Sequence, residues 1–146
     1  MSDSPRLRDG PLDPAEWLGV PVPPHCGAQT TFVGAVRNEH EGRAVSGMRY
    51  HVYAPLAEKR LREIETEAAT RFGVTIAVAH AFGDLKVGDV SVIVVVHAGH
   101  RADAFEACRW AIDTIKQAVP IWKEEHYVEG ESRFLEGKPL IEVKDT

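Results

Sequence analysis

Cysteine is nearly absent: Cys26 and Cys108 are the only two in 146 residues, which excludes a disulfide scaffold and points to a reducing cytoplasm. No apolar run approaches the roughly 20 residues a membrane helix requires, and no signal-peptide pattern opens the chain. A soluble, cytoplasmic protein without membrane attachment is expected. Positive charge is also in short supply. With 17 basic against 22 acidic residues and a net charge of −5, the chain is not a general nucleic-acid binder. A local cluster of cations is therefore more informative here than in a basic protein. Repeats and low-complexity blocks are missing, and the length fits one domain able to bury a core without disulfides or a structural metal.

Met1 to Leu12 is polar and holds Pro5, Gly10 and Pro11, the composition of a poorly ordered tail. Asp13 and Pro14 match an N-cap and first helical position, so a short helix is expected over Pro14 to Leu18 before Pro21, Pro23 and Pro24 stop it. Residues 1–28 thus read as a Pro-rich tail and spacer, and 29–146 as the domain proper. Gln29 to Arg37 is β-branched and aromatic, a strand with Gly34 marking a bulge or a close backbone approach and Arg37 at its carboxyl end. Asn38 to Ser46 lacks periodicity and suggests a mobile loop beside Arg37. Gly47 to Tyr53 alternates as a strand, and a helix follows from Pro55 to Phe72 on the stripe Ala57, Leu61, Ile64, Ala68 and Phe72. Glu58 with Arg62 and Lys59 with Glu63 pair at i,i+4 on what reads as its solvated face.

Gly73 ends that helix. Two strands follow, Val74 to Phe82 and Val90 to His97, joined by G-D-L-K-V-G-D; the continuous run Val92 to Val96 predicts cover on both faces. A second principal helix is expected on the stripe Phe105, Cys108, Ile112, Ile115 and Val119, ending at Pro120. Ile121 to Val128 is extended, Glu129 to Ser132 is a turn, and Arg133 to Leu135 resumes an extended pattern. The fold class is α+β, a single domain with a mostly antiparallel sheet and two principal helices.

Chemistry gathers between His97 and Lys123. His100 and Arg101 stand where a strand turns into a helix, and unpaired N–H groups at such a terminus favour an anion. Lys116 lies in the last helical turn and Lys123 beyond Pro120, so the two ammonium groups converge if the chain folds back. A lysine acts as nucleophile or acid/base when burial or cationic neighbours bring its pKa towards neutrality. Trp110 and Trp122 are candidates to shield such a site, or to pack in a core or interface. His97 and His100 match no zinc spacing, and neither cysteine is near them in sequence. Cys108 faces the buried stripe and Cys26 follows a proline tract, so both are poor nucleophiles.

The strand F-V-G-A-V-R (Phe32 to Arg37), the segment H-R-A-D-A-F-E-A-C-R-W-A-I-D (His100 to Asp113) and K-Q-A-V-P-I-W-K (Lys116 to Lys123) resemble the large, catalytic subunit of molybdopterin synthase, the MoaE family. With Gly83 to Asp89 the resemblance runs from about Gln29 to Val128 in the same order. It implies a MoaE-like α/β hammerhead fold and a sulfur transferase of molybdenum cofactor biosynthesis. It also implies a homodimer within a heterotetramer, its partner a small ubiquitin-like, MoaD-like sulfur carrier with a C-terminal Gly-Gly thiocarboxylate. The implied substrate is cyclic pyranopterin monophosphate, and no metal or bound organic cofactor is implied. By position, Lys116 and Lys123 correspond to the catalytic lysines, and Arg37, His100 and Arg101 to residues that hold the substrate phosphate. Two other classes use the same cations: a non-catalytic module that binds a phosphorylated ligand, and an assembly subunit.

Overall fold

The computed structural model describes residues 4–128 and 133–139. In chain order the elements are β1 (Leu7–Asp9), α1 (Pro14–Leu18), β2 (Ala28–Ala35), β3 (Glu39–His40), β4 (Arg43–Val52), α2 (Ala54–Phe72), β5 (Thr75–Lys86), β6 (Val90–Ala98), α3 (Arg101–Ala118), β7 (Ile121–Tyr127) and β8 (Arg133–Pro139). The strands form one sheet in the order β2-β6-β5-β4-β7-β8, with β1 added beside β5 and β3 beside β4. Apart from the parallel β1–β5 contact, the pairings among the described residues are antiparallel. This is the expected α+β sheet with two principal helices, to which α1 adds a short third. Asp13 caps α1 as expected, its side chain accepting from the Ala15 N–H at 3.0 Å.

Both long helices lay an apolar stripe on the sheet. In α2, Ala57, Leu61, Ile64 and Ala68 are buried, and Gly73 ends the helix in the left-handed conformation. Burial of a leucine or isoleucine there contributes about 1.5–3 kcal/mol. In α3 the buried face is Ala104, Ala107, Cys108, Ala111, Ile112 and Ile115. Phe105, expected on that stripe, is instead 62% exposed. Three alanines at the centre of the face let the helix approach the sheet closely, and Phe105 sits about 100° around the axis from Ala104. Val92 to Val96 are all buried, and since neighbouring strand residues point to opposite faces, both faces of β6 are covered as expected.

The N-terminal segment is not a poorly ordered tail over residues 4–12, nor is the segment before β2 merely a spacer. Leu7, Arg8 and Asp9 pair with His80, Ala81 and Phe82 of β5, and Leu7, Leu12 and Trp17 join the core. Polar composition concealed this because Arg6, only 3% exposed, is neutralised by Glu65 through contacts of 2.6 and 3.0 Å. Glu58 belongs to the same clamp, accepting the Arg6 and Leu7 N–H groups at 2.9 and 3.1 Å as well as Arg62. The face of α2 that carries it is thus partly a docking face, and on the outside Glu63 meets Arg60.

Two loops are also corrected. Asn38 to Ser46 is a hairpin: His40 pairs with Arg43 across a two-residue turn of Glu41 and Gly42, both at positive φ as such turns require. The connector Gly83 to Asp89 shrinks to 87–89, because β5 continues to Lys86 and changes partner on the way. Residues Thr75 to His80 pair with β6, and Gly83 to Lys86 with β4. Gly83 makes the change at φ 82°, where a Cβ would lie 2.5 Å from Asp9 Oδ1. The turn expected at Glu129 to Ser132 lies outside the described residues.

Candidate functional site

The carboxyl end of α3 brings the two lysines together. Pro120 has no N–H to continue the helix; the Ile121 N–H donates to Val119 O at 2.8 Å, and the chain returns as β7 beside β4. Along β7 the side chains alternate, so that Ile121, Lys123, Glu125 and Tyr127 are buried while Trp122, Glu124 and His126 face the other way. Lys123 stands opposite Tyr50 of β4 and is 2% exposed. Lys116, half-buried in the last turn of α3, points to the same place.

That place is a cavity of about 220 Å³ between α3 and the sheet. Ile112, Ile115 and Lys116 form one wall; Phe32, Met48, Tyr50, His80, Val92, Lys123 and Glu125 come from five strands, with Arg37 in the link after β2 and Glu39 at the start of β3. Arg37 is anchored through its neighbour, since the Val36 N–H donates to Asp89 O at 2.9 Å and the Gly88 N–H to Val36 O at 2.8 Å. The expected bulge at Gly34 is present as a register shift between Gly34 and Ala35. Three of the five predicted site residues, Arg37, Lys116 and Lys123, therefore line one cavity.

His100 and Arg101 do not line it. They occupy the opposite end of α3, about 22 Å from Lys116 along the axis, and both are exposed. Neither tryptophan shields the lysines. Trp110 packs on Phe72 at 5.9 Å beneath Arg71, and Trp122 lies on the face of β7 away from Lys123. His97 is buried with Nε2 2.7 Å from Gln29 Oε1, a contact within the fold. Burial raises the Cys108 thiol to about 11, so it is no nucleophile near neutrality. No group of three or more His, Cys, Asp or Glu side chains among the described residues is disposed to hold a metal.

The model of the family described as "MoaE protein" matches residues 7–118. This chain belongs to the MoaE family. The molybdopterin synthase catalytic subunit of Halalkalibacterium halodurans is 39% identical over 95% of this chain and 96% of that protein. The crystal structure of molybdopterin synthase from Staphylococcus aureus superimposes with a TM-score of 0.82 at 31% identity, covering 89% of this chain and 95% of that one. A chain of the complex of subunits 1 and 2 of the Helicobacter pylori molybdopterin-converting factor shares the fold, with a TM-score of 0.73 at 24% identity over 92% of this chain and 91% of that one.

Beyond the residues expected of a MoaE chain, the cavity contains five polar side chains that the sequence reading did not single out: Glu39, Tyr50, His80, Ser91 and Glu125. Glu125, 1% exposed, has His40 of the β3–β4 hairpin 3.5 Å from its Oε1. Its signal was present, because strand alternation places Glu125 on the face of Lys123. His80 gave none, lying inside the apolar run V-A-H-A-F. On the opposite face of β7, His51 and His126 contact Glu124 at 3.0 and 2.8 Å and hold its carboxyl below the usual carboxylate range. Among the described residues no helix is long and apolar enough to cross a membrane.

Proposed function

We propose that this chain catalyses sulfur transfer in molybdenum cofactor biosynthesis, converting cyclic pyranopterin monophosphate to molybdopterin. The sulfur comes from the C-terminal thiocarboxylate of a small ubiquitin-like subunit, and two transfers build the dithiolene. The observation that carries this reading is the meeting of Arg37, Lys116 and Lys123 in one cavity of a MoaE-family chain. A thiocarboxylate tail and a phosphorylated substrate are both anions, and the three cations of the cavity, which outnumber the carboxylates of Glu39 and Glu125 there, suit both. With Cys108 buried and protonated, the transferable sulfur arrives on the partner.

Lys116, fixed on a packed helix, attacks or protonates at the reacting carbon, and Lys123 stabilises developing negative charge. Arg37 takes the phosphate in charge-assisted hydrogen bonds. His100 and Arg101 are too far along α3 to share the cavity of their own chain, so they serve as phosphate ligands from a second copy. A twofold dimer supplies them to both cavities reciprocally, because in such a pair each contact occurs twice. The protein acts in the cytoplasm, in keeping with two free cysteines.

The test is reconstitution. The chain, a thiocarboxylated small subunit and the cyclic precursor are mixed, and molybdopterin is read by the fluorescence of its oxidised derivative. Product is expected; binding of both components without product would leave a ligand-binding or assembly subunit in place of an enzyme.

A further inference from the structure

His80 has no task in this scheme, yet it is 2% exposed in the wall of the same cavity. It is fixed on two sides. Its backbone N–H donates to Arg6 O at 2.9 Å, and its Nδ1 lies 2.7 Å from the Ala81 carbonyl oxygen. A carbonyl only accepts, so Nδ1 carries the proton and Nε2 keeps its lone pair. The ring meets Tyr50 edge-on at 5.0 Å, and Tyr50 is the cross-strand neighbour of Lys123. Burial, with Lys123 and Lys116 opposing a further positive charge, lowers His80 to about 4. Near neutral pH it is an uncharged acceptor beside two lysines.

Resting on the sulfur-transfer reading, we propose that His80 is a positioning residue for Lys123, its Nε2 accepting a hydrogen bond from the Lys123 ammonium when substrate fills the cavity. Lys123 carries three N–H donors on a flexible four-carbon stem, so a fixed imidazole acceptor, added to the contact the side chain already makes, narrows the direction of its ammonium. A carboxylate such as Glu125 of the same cavity can also hold it, but its negative charge offsets the positive field that Lys123 directs at the developing anion. A neutral imidazole aims the group without that offset. The tautomer is set by Ala81, outside the cavity chemistry, so the acceptor is in place before substrate arrives.

Two amides separate the ring nitrogens. His80→Asn puts an amide near Nδ1 and keeps a donor for Ala81, whereas His80→Gln extends one to Nε2 and restores an acceptor for Lys123. In the reconstituted assay kcat is expected to fall about 10- to 100-fold for Asn, the scale of a misplaced reacting group, with KM for the precursor little changed. Gln is expected within about threefold of the unsubstituted chain. In a Lys123→Ala background the Asn substitution should cost nothing further. Near-normal turnover with Asn, failure of Gln to restore it, or an undiminished Asn effect without Lys123 overturns the proposal. If the Asn variant does not fold, ¹⁵N-histidine spectra of the unsubstituted chain decide. The Nε2 resonance should move on addition of precursor and stay still in Lys123→Ala; any other pattern overturns the proposal. Absence of product from the unsubstituted chain overturns the sulfur-transfer reading beneath it, and the proposal with it.

Discussion

Glu65→Gln tests the clamp that holds β1 against the wall of the cavity. Glu65 is 14% exposed and accepts both Nε and a terminal nitrogen of Arg6, itself 3% exposed, at 2.6 and 3.0 Å, as well as the Val78 N–H at 2.9 Å. Glutamine keeps the shape and an acceptor for Val78 but removes the charge, leaving a buried guanidinium without its counter-ion. Breaking a buried pair in this way costs about 3–5 kcal/mol; with Ser4 O still accepting from Arg6, about 3 kcal/mol is expected. Set against a total stability of about 5–15 kcal/mol, that is a large fraction, and at this chain length it lowers Tm by roughly 6–12 °C. Urea unfolding followed by circular dichroism measures it, with the Arg6→Met and Glu65→Gln double substitution as control. Removing both charges should recover most of the loss, since an uncharged buried pair carries no desolvation penalty. The His80 amide, bonded to Arg6 O, should exchange faster in the single variant. A loss below about 1 kcal/mol, the value of an exposed ion pair, would refute the argument that this contact orders the N-terminal segment.

Lys116→Ala should lower turnover about 10²- to 10⁴-fold while small-subunit binding survives, and Lys116→Arg should not restore it, because guanidinium keeps the charge without deprotonating; near-normal product from the arginine variant would reduce Lys116 to an electrostatic anchor. Arg37→Ala should weaken precursor binding by about 1.5–3 kcal/mol, the worth of a charge-assisted hydrogen bond, as read by calorimetry. Lys116→Ala and Arg101→Ala chains, each inactive alone, should regain part of the activity when co-expressed, since a mixed dimer has one complete site; no complementation would refute a site shared between copies. Stability should fall as pH drops from about 6.5 towards about 4. His80, lowered in the folded state to about 4, stays neutral there while the unfolded chain takes up a proton, so the folded form loses about 3 kcal/mol across that window. His80→Gln should flatten the slope, and an unchanged slope by urea titration at each pH would contradict the assignment.

Periodicity carried much of the architecture. The stripes of α2 and α3, the unbroken apolar run of β6 and the Asp13 cap are local patterns, each set by residues within a few turns of one another. Where the reading failed, the deciding partner was distant. Arg6 appeared to belong to a solvated tail because its counter-ion lies 59 residues away, and β5 appeared to stop at Phe82 because its second partner is β4.

The sequence by itself determined the types of the principal elements, β1 and the β3–β4 hairpin excepted, together with the family and the identity of the cations, because helical and strand spacing and the run from Lys116 through Pro120 to Lys123 are written in neighbouring residues. Tertiary structure alone decided which of those cations meet. Reversal at Pro120 and pairing of β7 with β4 put Lys123 opposite Tyr50 and beside Lys116, whereas the rigid length of α3 holds His100 and Arg101 away from them. It also decided that His80, an apolar-strand residue by its neighbours, shares a wall with both lysines. Side-chain direction on a strand is fixed by alternation, but what stands across from it is fixed by register and by the helix laid over the sheet, and neither is encoded locally.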